Sequence, residues 1–94
     1  MKEKAIEKRI KEYLKTVDGL FYWKVFSGMY CTAGIPDIVI CYKGQFIALE
    51  VKAPDGKPTA LQDATIKKIR EAGGVAEVVR SVEEVREIIT KFTK

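Results

Sequence analysis

The strongest constraint on the fold is the predicted strand over 45–53, in which charged and apolar side chains alternate from position 49 onwards. On a strand, Glu50 and Lys52 project to one face, whereas the positions from 47 to 53 that project to the other face are all apolar. The apolar positions are Ile47, Leu49, Val51 and Ala53. A second apolar segment, 37–42, precedes it, and the turn signal Lys43-Gly44 separates the two. This pattern predicts a β-hairpin with one buried face.

The remaining segments complete the element order α-β-β-β-α-β-α. The predicted elements are a helix over 3–17, strands over 20–26, 37–42 and 45–53, a helix from Thr59 to Gly73, a strand over 75–79 and a final helix after Ser81. Capping-box sequences at Thr59 and Ser81 open the last two helices. Because the second helix is a crossover, the last strand can lie parallel to a neighbour. The sequence therefore predicts a single α/β domain over 1–94, with a mixed sheet flanked by helices.

Composition excludes several kinds of site. The chain has no histidine, which removes His-based triads, His general acids and bases, and His-ligated metals. Its net charge of +4 is compatible with nucleic acid without requiring it. There is no run of about 18 apolar residues and no signal peptide, so we expect no membrane span and a cytoplasmic location. Cys31 and Cys41 fit a reducing compartment, with a disulfide between them as the alternative. Trp23 is expected in the core, with a stacking platform for bases as the alternative.

The hairpin places two carboxylates opposite each other. A two-residue or a four-residue loop pairs Asp37 with Glu50, whereas a three-residue loop shifts the register by one. Opposed side chains lie about 5 Å apart at Cβ, so the two carboxylates repel unless a cation neutralises them. Mg²⁺ or Mn²⁺, one ion or two, suits these oxygen ligands, and the main-chain carbonyl of Val51 is a further candidate ligand. Lys52 would then lie beside a metal-bound water that could attack a phosphodiester.

These residues resemble a known family. Pro36-Asp37 followed by Glu50-Val51-Lys52 is similar to the PD-(D/E)XK nuclease superfamily. Gly34-Ile35-Pro36-Asp37, with Gln62 on the next helix, resembles the stand-alone viral-type form of its VRR-NUC branch. The resemblance implies a restriction-endonuclease-like core and Mg²⁺- or Mn²⁺-dependent hydrolysis of DNA. It also implies homodimers acting on branched DNA such as four-way junctions, and, for a viral protein, the host cytoplasm.

The same resemblance implies two further catalytic residues. It implies a glutamate on the first helix, for which Glu7 is the best match, able to reach the metal or its water; Glu3 and Glu12 are weaker matches. It also implies a role for Gln62. Each has a structural alternative, because Glu7 could pair with Lys11 and Gln62 completes a capping box.

The catalytic residues have structural alternatives too. Asp37 could simply be a turn residue at the start of its strand. Glu50 and Lys52 could form a surface ion pair worth about 0–1 kcal/mol. The three together favour a nuclease over a DNA-binding or assembly module that keeps the fold and does no chemistry. A third alternative is a nuclease-like subunit that supplies structure to a larger partner. Two further arguments favour a dimer, namely the small size of the chain and the two-fold symmetry of two coordinated cuts. We expect the interface near Phe92.

Overall fold

The computed structural model describes residues 1–26 and 33–93, so Cys31 lies outside the described residues. Seven elements follow in the predicted order: α1 (Glu3–Leu14), β1 (Leu20–Lys24), β2 (Ile38–Tyr42), β3 (Gln45–Val51), α2 (Ala60–Glu71), β4 (Val75–Val79) and α3 (Val82–Lys91). No helix within these residues has the length and apolar character needed to cross a membrane.

The four strands form one mixed sheet in the order β1-β2-β3-β4. The first three are an antiparallel meander, and β4 lies parallel to β3 after the crossover through α2. This topology confirms the predicted fold class. It also brings the C-terminal end of β3 beside the start of β2, which is where the sequence predicts the two carboxylates.

The main core lies between one face of the sheet and helices α1 and α3. It is formed by the apolar stripes of the helices and by alternate strand positions; its buried members include Ile6, Ile10, Leu14, Ile38, Ile40, Ile47, Leu49, Val51, Val79, Val85, Ile88 and Ile89. Each such side chain contributes about 1.5–3 kcal/mol relative to full exposure. Phe92 packs against this core and is partly buried, and the interface near it stays a prediction.

The opposite face of the sheet is only half covered. A small cluster of Ala48, Ala76 and Ile66 packs α2 against β3 and β4. Trp23 projects to this same face from β1, beyond the reach of α2, and is 47% exposed. The prediction that Trp23 is a core residue is therefore wrong, because the helix that would bury it covers the other half of the sheet.

Several element ends differ from the sequence prediction by a few residues. Helix α1 ends at Leu14, since the Thr16 hydroxyl donates to the Tyr13 carbonyl at 2.7 Å and the chain turns towards β1. At α3 only half of the predicted capping box forms. The Ser81 hydroxyl accepts from the Glu84 N–H, but the Glu84 carboxylate accepts from the N–H of Arg80 instead of Ser81.

Candidate active site

The β2–β3 hairpin has the predicted register. Lys43 and Gly44 form its two-residue turn, with positive φ values of 55° and 75°, which suits the twist of the flanking strands. Tyr42 pairs with Gln45. Since the register continues to the pair of Ile38 and Leu49, the next positions along the two strands are Asp37 and Glu50.

Asp37 is fixed by contacts with both neighbouring strands. Its Oδ2 accepts a hydrogen bond of 2.7 Å from the main-chain N–H of Val51. Its main-chain carbonyl accepts a second bond, of 2.8 Å, from the N–H of Val25, just after β1. Its carboxyl group also interacts with that of Glu50, whose pKa it raises. These contacts orient Asp37 across the hairpin, and a residue that only formed a turn at the start of a strand would not require them.

Glu50 is a buried acid with an unsatisfied oxygen. The residue is 2% exposed, and its Oε1 has no hydrogen-bond partner among the described residues. The pKa of Glu50 is raised to about 8, chiefly by burial and then by its interactions with Asp37, while the charge of Lys52 opposes the rise. Leaving such an oxygen unpaired costs free energy, so the site favours either a proton or a cation at this position.

Lys52 forms an ion pair with Glu50. Its Nζ lies 3.9 Å from Oε2 of Glu50, and its side chain is only 14% exposed. The main-chain N–H of Lys52 donates to the carbonyl of Val79 on β4, which continues the parallel pairing past the end of β3. The pair of Glu50 and Lys52 is therefore buried, unlike the exposed surface ion pair considered as its structural alternative.

The donor set fits a hard divalent cation. The two adjoining carboxylates, Asp37 and Glu50, offer oxygen ligands, and Oε1 of Glu50 lacks any other partner in the described part of the chain. Over residues 1–26 and 33–93, no group of three or more Asp, Glu, Cys or His side chains is gathered as a metal site. Further ligands would thus come from main-chain oxygen and water; the Val51 carbonyl remains a prediction.

The carboxylate of Glu7 is held by two lysines. Its Oε2 lies 2.6 Å from Nζ of Lys24 and 3.7 Å from Nζ of Lys11, and the side chain is 13% exposed. The structural alternative, an ion pair with Lys11, is therefore present, although Lys24 is the closer partner. From α1, the charge of Glu3 adds to the causes that raise the pKa of Glu50. The catalytic role of Glu7 remains a prediction.

Gln62 completes a full capping box at the start of α2. Its Oε1 accepts from the N–H of Thr59 at 2.8 Å, and the Thr59 hydroxyl accepts from the N–H of Gln62 at 3.1 Å. The structural alternative for Gln62 is therefore realised. Its side-chain oxygen is engaged at the cap, so the catalytic role has no support from the geometry and remains a prediction.

Two residues near the site were not singled out from the sequence. Lys24 ends the otherwise apolar and aromatic strand β1, and this isolated charge was the available signal. Arg80 follows β4 directly, and its Nη2 donates to the carbonyl of Gly56 at 2.8 Å. That bond ties the loop after Lys52 to the end of β4, a contact over 24 positions that has no local sequence signal.

The fold is shared with solved nuclease-type domains. A solved structure named "VRR_NUC domain" has a TM-score of 0.76 and 25% identity, over 96% of this chain and 96% of its own. Another, named "VRR_NUC domain protein", has a TM-score of 0.76 and 18% identity, over 98% of this chain and 88% of its own. No protein-family model and no curated protein matches the sequence. The chain therefore resembles the VRR-NUC family across nearly its full length, and its domain is of the nuclease type.

Proposed function

We propose that this domain is a Mg²⁺- or Mn²⁺-dependent deoxyribonuclease that hydrolyses phosphodiester bonds in branched DNA. One observation carries the proposal: Asp37 and Glu50 adjoin in a buried site where an oxygen of Glu50 lacks a partner among the described residues. The nuclease-type fold shared with VRR_NUC domains supports it.

Asp37 and Glu50 would hold the cation, with the Val51 carbonyl as a further ligand. When bound, the cation activates water and offsets the negative charge of the phosphate. The N–H of Val51 presets the orientation of the Asp37 carboxylate, so little ordering is needed when the ligand arrives. Glu7 could contribute through water once Lys24 releases its carboxylate.

Lys52 would act directly on the reacting groups. Its ammonium lies beside Glu50 in a largely buried position, where water competes weakly with its charge. It can orient the attacking water, take its proton, or stabilise the negative charge that develops on the phosphate.

Branched DNA and a homodimer belong together in this proposal. One centre cuts one strand, and resolving a four-way junction requires two cuts at positions related by two-fold symmetry. A two-fold dimer of this chain would supply two centres in the matching arrangement. Small domains also gain stability by burying apolar surface between subunits.

A cleavage panel tests the proposal. Linear, flapped and four-way DNA would be incubated with Mg²⁺, Mn²⁺ or a chelator, and we expect metal-dependent cutting with a preference for branched substrates. Asp37→Asn should abolish cutting, whereas Asp18→Asn should not, because Asp18 is an exposed carboxylate at the opposite end of the sheet. Binding of DNA without cleavage at any metal concentration would instead identify an inactive nucleic-acid-binding module.

A further inference from the structure

Part of the sheet forms an exposed aromatic surface. Phe21, Cys41 and Phe46 are successive partners across β1, β2 and β3, so they form one row on one face of the sheet. Trp23 stands in the next row of the same face, with its ring centroid 5.8 Å from that of Phe21. We call these four residues the aromatic sheet face. The exposed fractions of Phe21, Trp23 and Phe46 are 66%, 47% and 45%.

The exposed area of this surface is comparable with that of functional apolar patches. An aromatic side chain has about 150–250 Å² to bury, so the three rings together expose roughly 300 Å². The largest apolar patch on a typical soluble monomer is about 300–600 Å² and is often functional. A stable protein interface buries about 800 Å² on each partner, so these rings alone would supply more than a third of one.

An apolar crevice lies at the border of this surface. It has a volume of about 190 Å³ and is lined by Phe46, Ile69, Ala72 and Gly74, between β3 and the C-terminal end of α2. Phe46 belongs to both features, so the exposed rings and the crevice are continuous. Interface anchors are characteristically aromatic side chains that fill such pockets.

We propose that the aromatic sheet face is the surface on which a second copy of this chain docks. The surface offers both parts of a self-complementary contact, namely protruding rings and a crevice that can receive one. A two-fold axis through it would let each copy present its rings to the crevice of the other. Charged residues are depleted at the centre of protein interfaces, and the strand positions 21, 23, 39, 41, 46 and 48 of this face carry none.

Charge also argues against single-stranded nucleic acid as the occupant. Platforms on which bases stack combine aromatic rings with a positively charged groove that follows the phosphates. Lys24 ends β1 on the other side of the strand, where its ammonium contacts Glu7 of α1. The aromatic sheet face thus lacks the cations at its strand positions that a stacking platform requires, whereas a second copy needs none there.

The position of this surface connects it with the candidate active site. Trp23, Val39 and Ala48 form one row across the sheet, and the next row on the same face is that of Asp37 and Glu50. Two positions along a strand span about 7 Å. Docking here would therefore place the Asp37 and Glu50 pair of each copy at an edge of the shared interface. This inference rests on the proposed homodimer and is independent of the proposed hydrolysis.

Self-association of the purified chain, without DNA or metal, tests the assignment. Phe21→Thr with Phe46→Thr removes both rings but introduces threonine, which also favours strands, so we expect normal circular dichroism and a dimer dissociation constant at least about tenfold higher by light scattering or sedimentation. Leu61→Gln is the matched control, because Leu61 is 52% exposed on α2 and should leave association unchanged. Unchanged association in the double variant, or loss of single-stranded DNA binding without loss of the dimer, would overturn the proposal.

Cys41 provides a second measurement that does not disturb the rings. It is an exposed free thiol in the same row as Phe21 and Phe46. In a Cys31→Ser background, a bulky maleimide should label Cys41 more slowly in the dimer than in the monomer. We expect the labelling rate to fall at least about tenfold as protein concentration rises from below to above the dimer dissociation constant. A rate that is the same for monomer and dimer would place the interface elsewhere. Because neither assay involves cleavage, an inactive chain could still support the interface, and an active one could still refute it.

Discussion

The main-chain N–H of Val51 donates a hydrogen bond of 2.7 Å to Oδ2 of Asp37, across the hairpin from β3 to the start of β2. The strand that carries Glu50 and Lys52 therefore also orients the opposing carboxylate. Because the donor is part of the backbone, this orientation depends on the register and not on a neighbouring side chain. The two acids adjoin even though their charges repel, which makes the site dependent on a proton or a cation.

Replacing Asp37 should remove divalent binding. Asp37→Asn keeps an oxygen that can accept from Val51 but loses the negative charge, so we expect Mn²⁺ affinity to fall at least about 100-fold by calorimetry. The same change should lower the pKa of Glu50 from about 8, because the charge of Asp37 helps to raise it. Asp18→Asn is the control for general loss of charge. Undiminished Mn²⁺ binding by a double Asp37→Asn, Glu50→Gln variant would eliminate the site.

Replacing Glu50 should stabilise the metal-free protein in a defined pH window. The acid ionises near its ordinary value of 4.5 when unfolded and near 8 when folded, so the folded state binds more protons between these values. Stability is therefore lost as pH rises from about 4.5 through about 8. Glu50→Gln removes this loss, and we expect its melting temperature in chelator at pH 8 to exceed that of the wild type by at least about 4 °C.

The comparison across pH provides the control for this effect. At pH 4, where Glu50 is protonated in the folded protein, the two chains should melt at similar temperatures. Saturating Mn²⁺ should raise the melting temperature of the wild type at pH 8 and leave Glu50→Gln nearly unchanged, since ligand bound to the folded state alone adds about 2.7 kcal/mol at 100 times its dissociation constant. A lower melting temperature for Glu50→Gln than for the wild type at pH 8 would contradict the conclusion that ionised, buried Glu50 destabilises the metal-free protein.

The opposition of Asp37 and Glu50 was predictable from sequence, whereas the environment of Glu50 was not. Side chains alternate with a period of two, so the two-residue turn at Lys43 determines which residues face each other. Glu50 lies on the face of the sheet where α2 covers β3 and β4 through Ile66 and the small residues Ala48 and Ala76. Which half of the sheet a helix covers is decided by tertiary packing, and this is also why the prediction for Trp23 was wrong.

Glu7 illustrates a further limit of the sequence. Its spacing along α1 shows that it flanks the apolar stripe, and the nearby Lys11 predicts an i,i+4 pair. Lys24, the closer partner, lies 17 positions away and meets Glu7 only because the fold brings the end of β1 to this side chain of α1. Long-range pairs of this kind carry no periodic signal in a single sequence.

Replacing Lys52 should lower the cleavage rate without unfolding the chain. Lys52→Ala removes the charge beside Glu50, and we expect at least about a 100-fold fall in the single-turnover rate, the range of one general-base or electrostatic group. DNA affinity should change by much less. Lys52→Arg keeps a positive charge that does not deprotonate, so recovery of rate by Lys52→Arg indicates charge stabilisation and continued loss indicates proton transfer. Turnover close to wild type in Lys52→Ala would leave Lys52 without a catalytic role.

Gln62 requires an experiment that separates capping from catalysis, and the chain offers a matched partner for it. Thr59 and Gln62 form the same reciprocal pair of hydrogen bonds, so Thr59→Ala and Gln62→Ala should each cost about 1 kcal/mol of stability. If the cap is the whole role of Gln62, both variants should have equal cleavage rates when each is assayed at the same number of degrees below its own melting temperature. A catalytic role predicts a rate for Gln62→Ala at least about tenfold below that of Thr59→Ala at equal stability. Because Oε1 of Gln62 already accepts from the Thr59 N–H, we expect the two rates to agree.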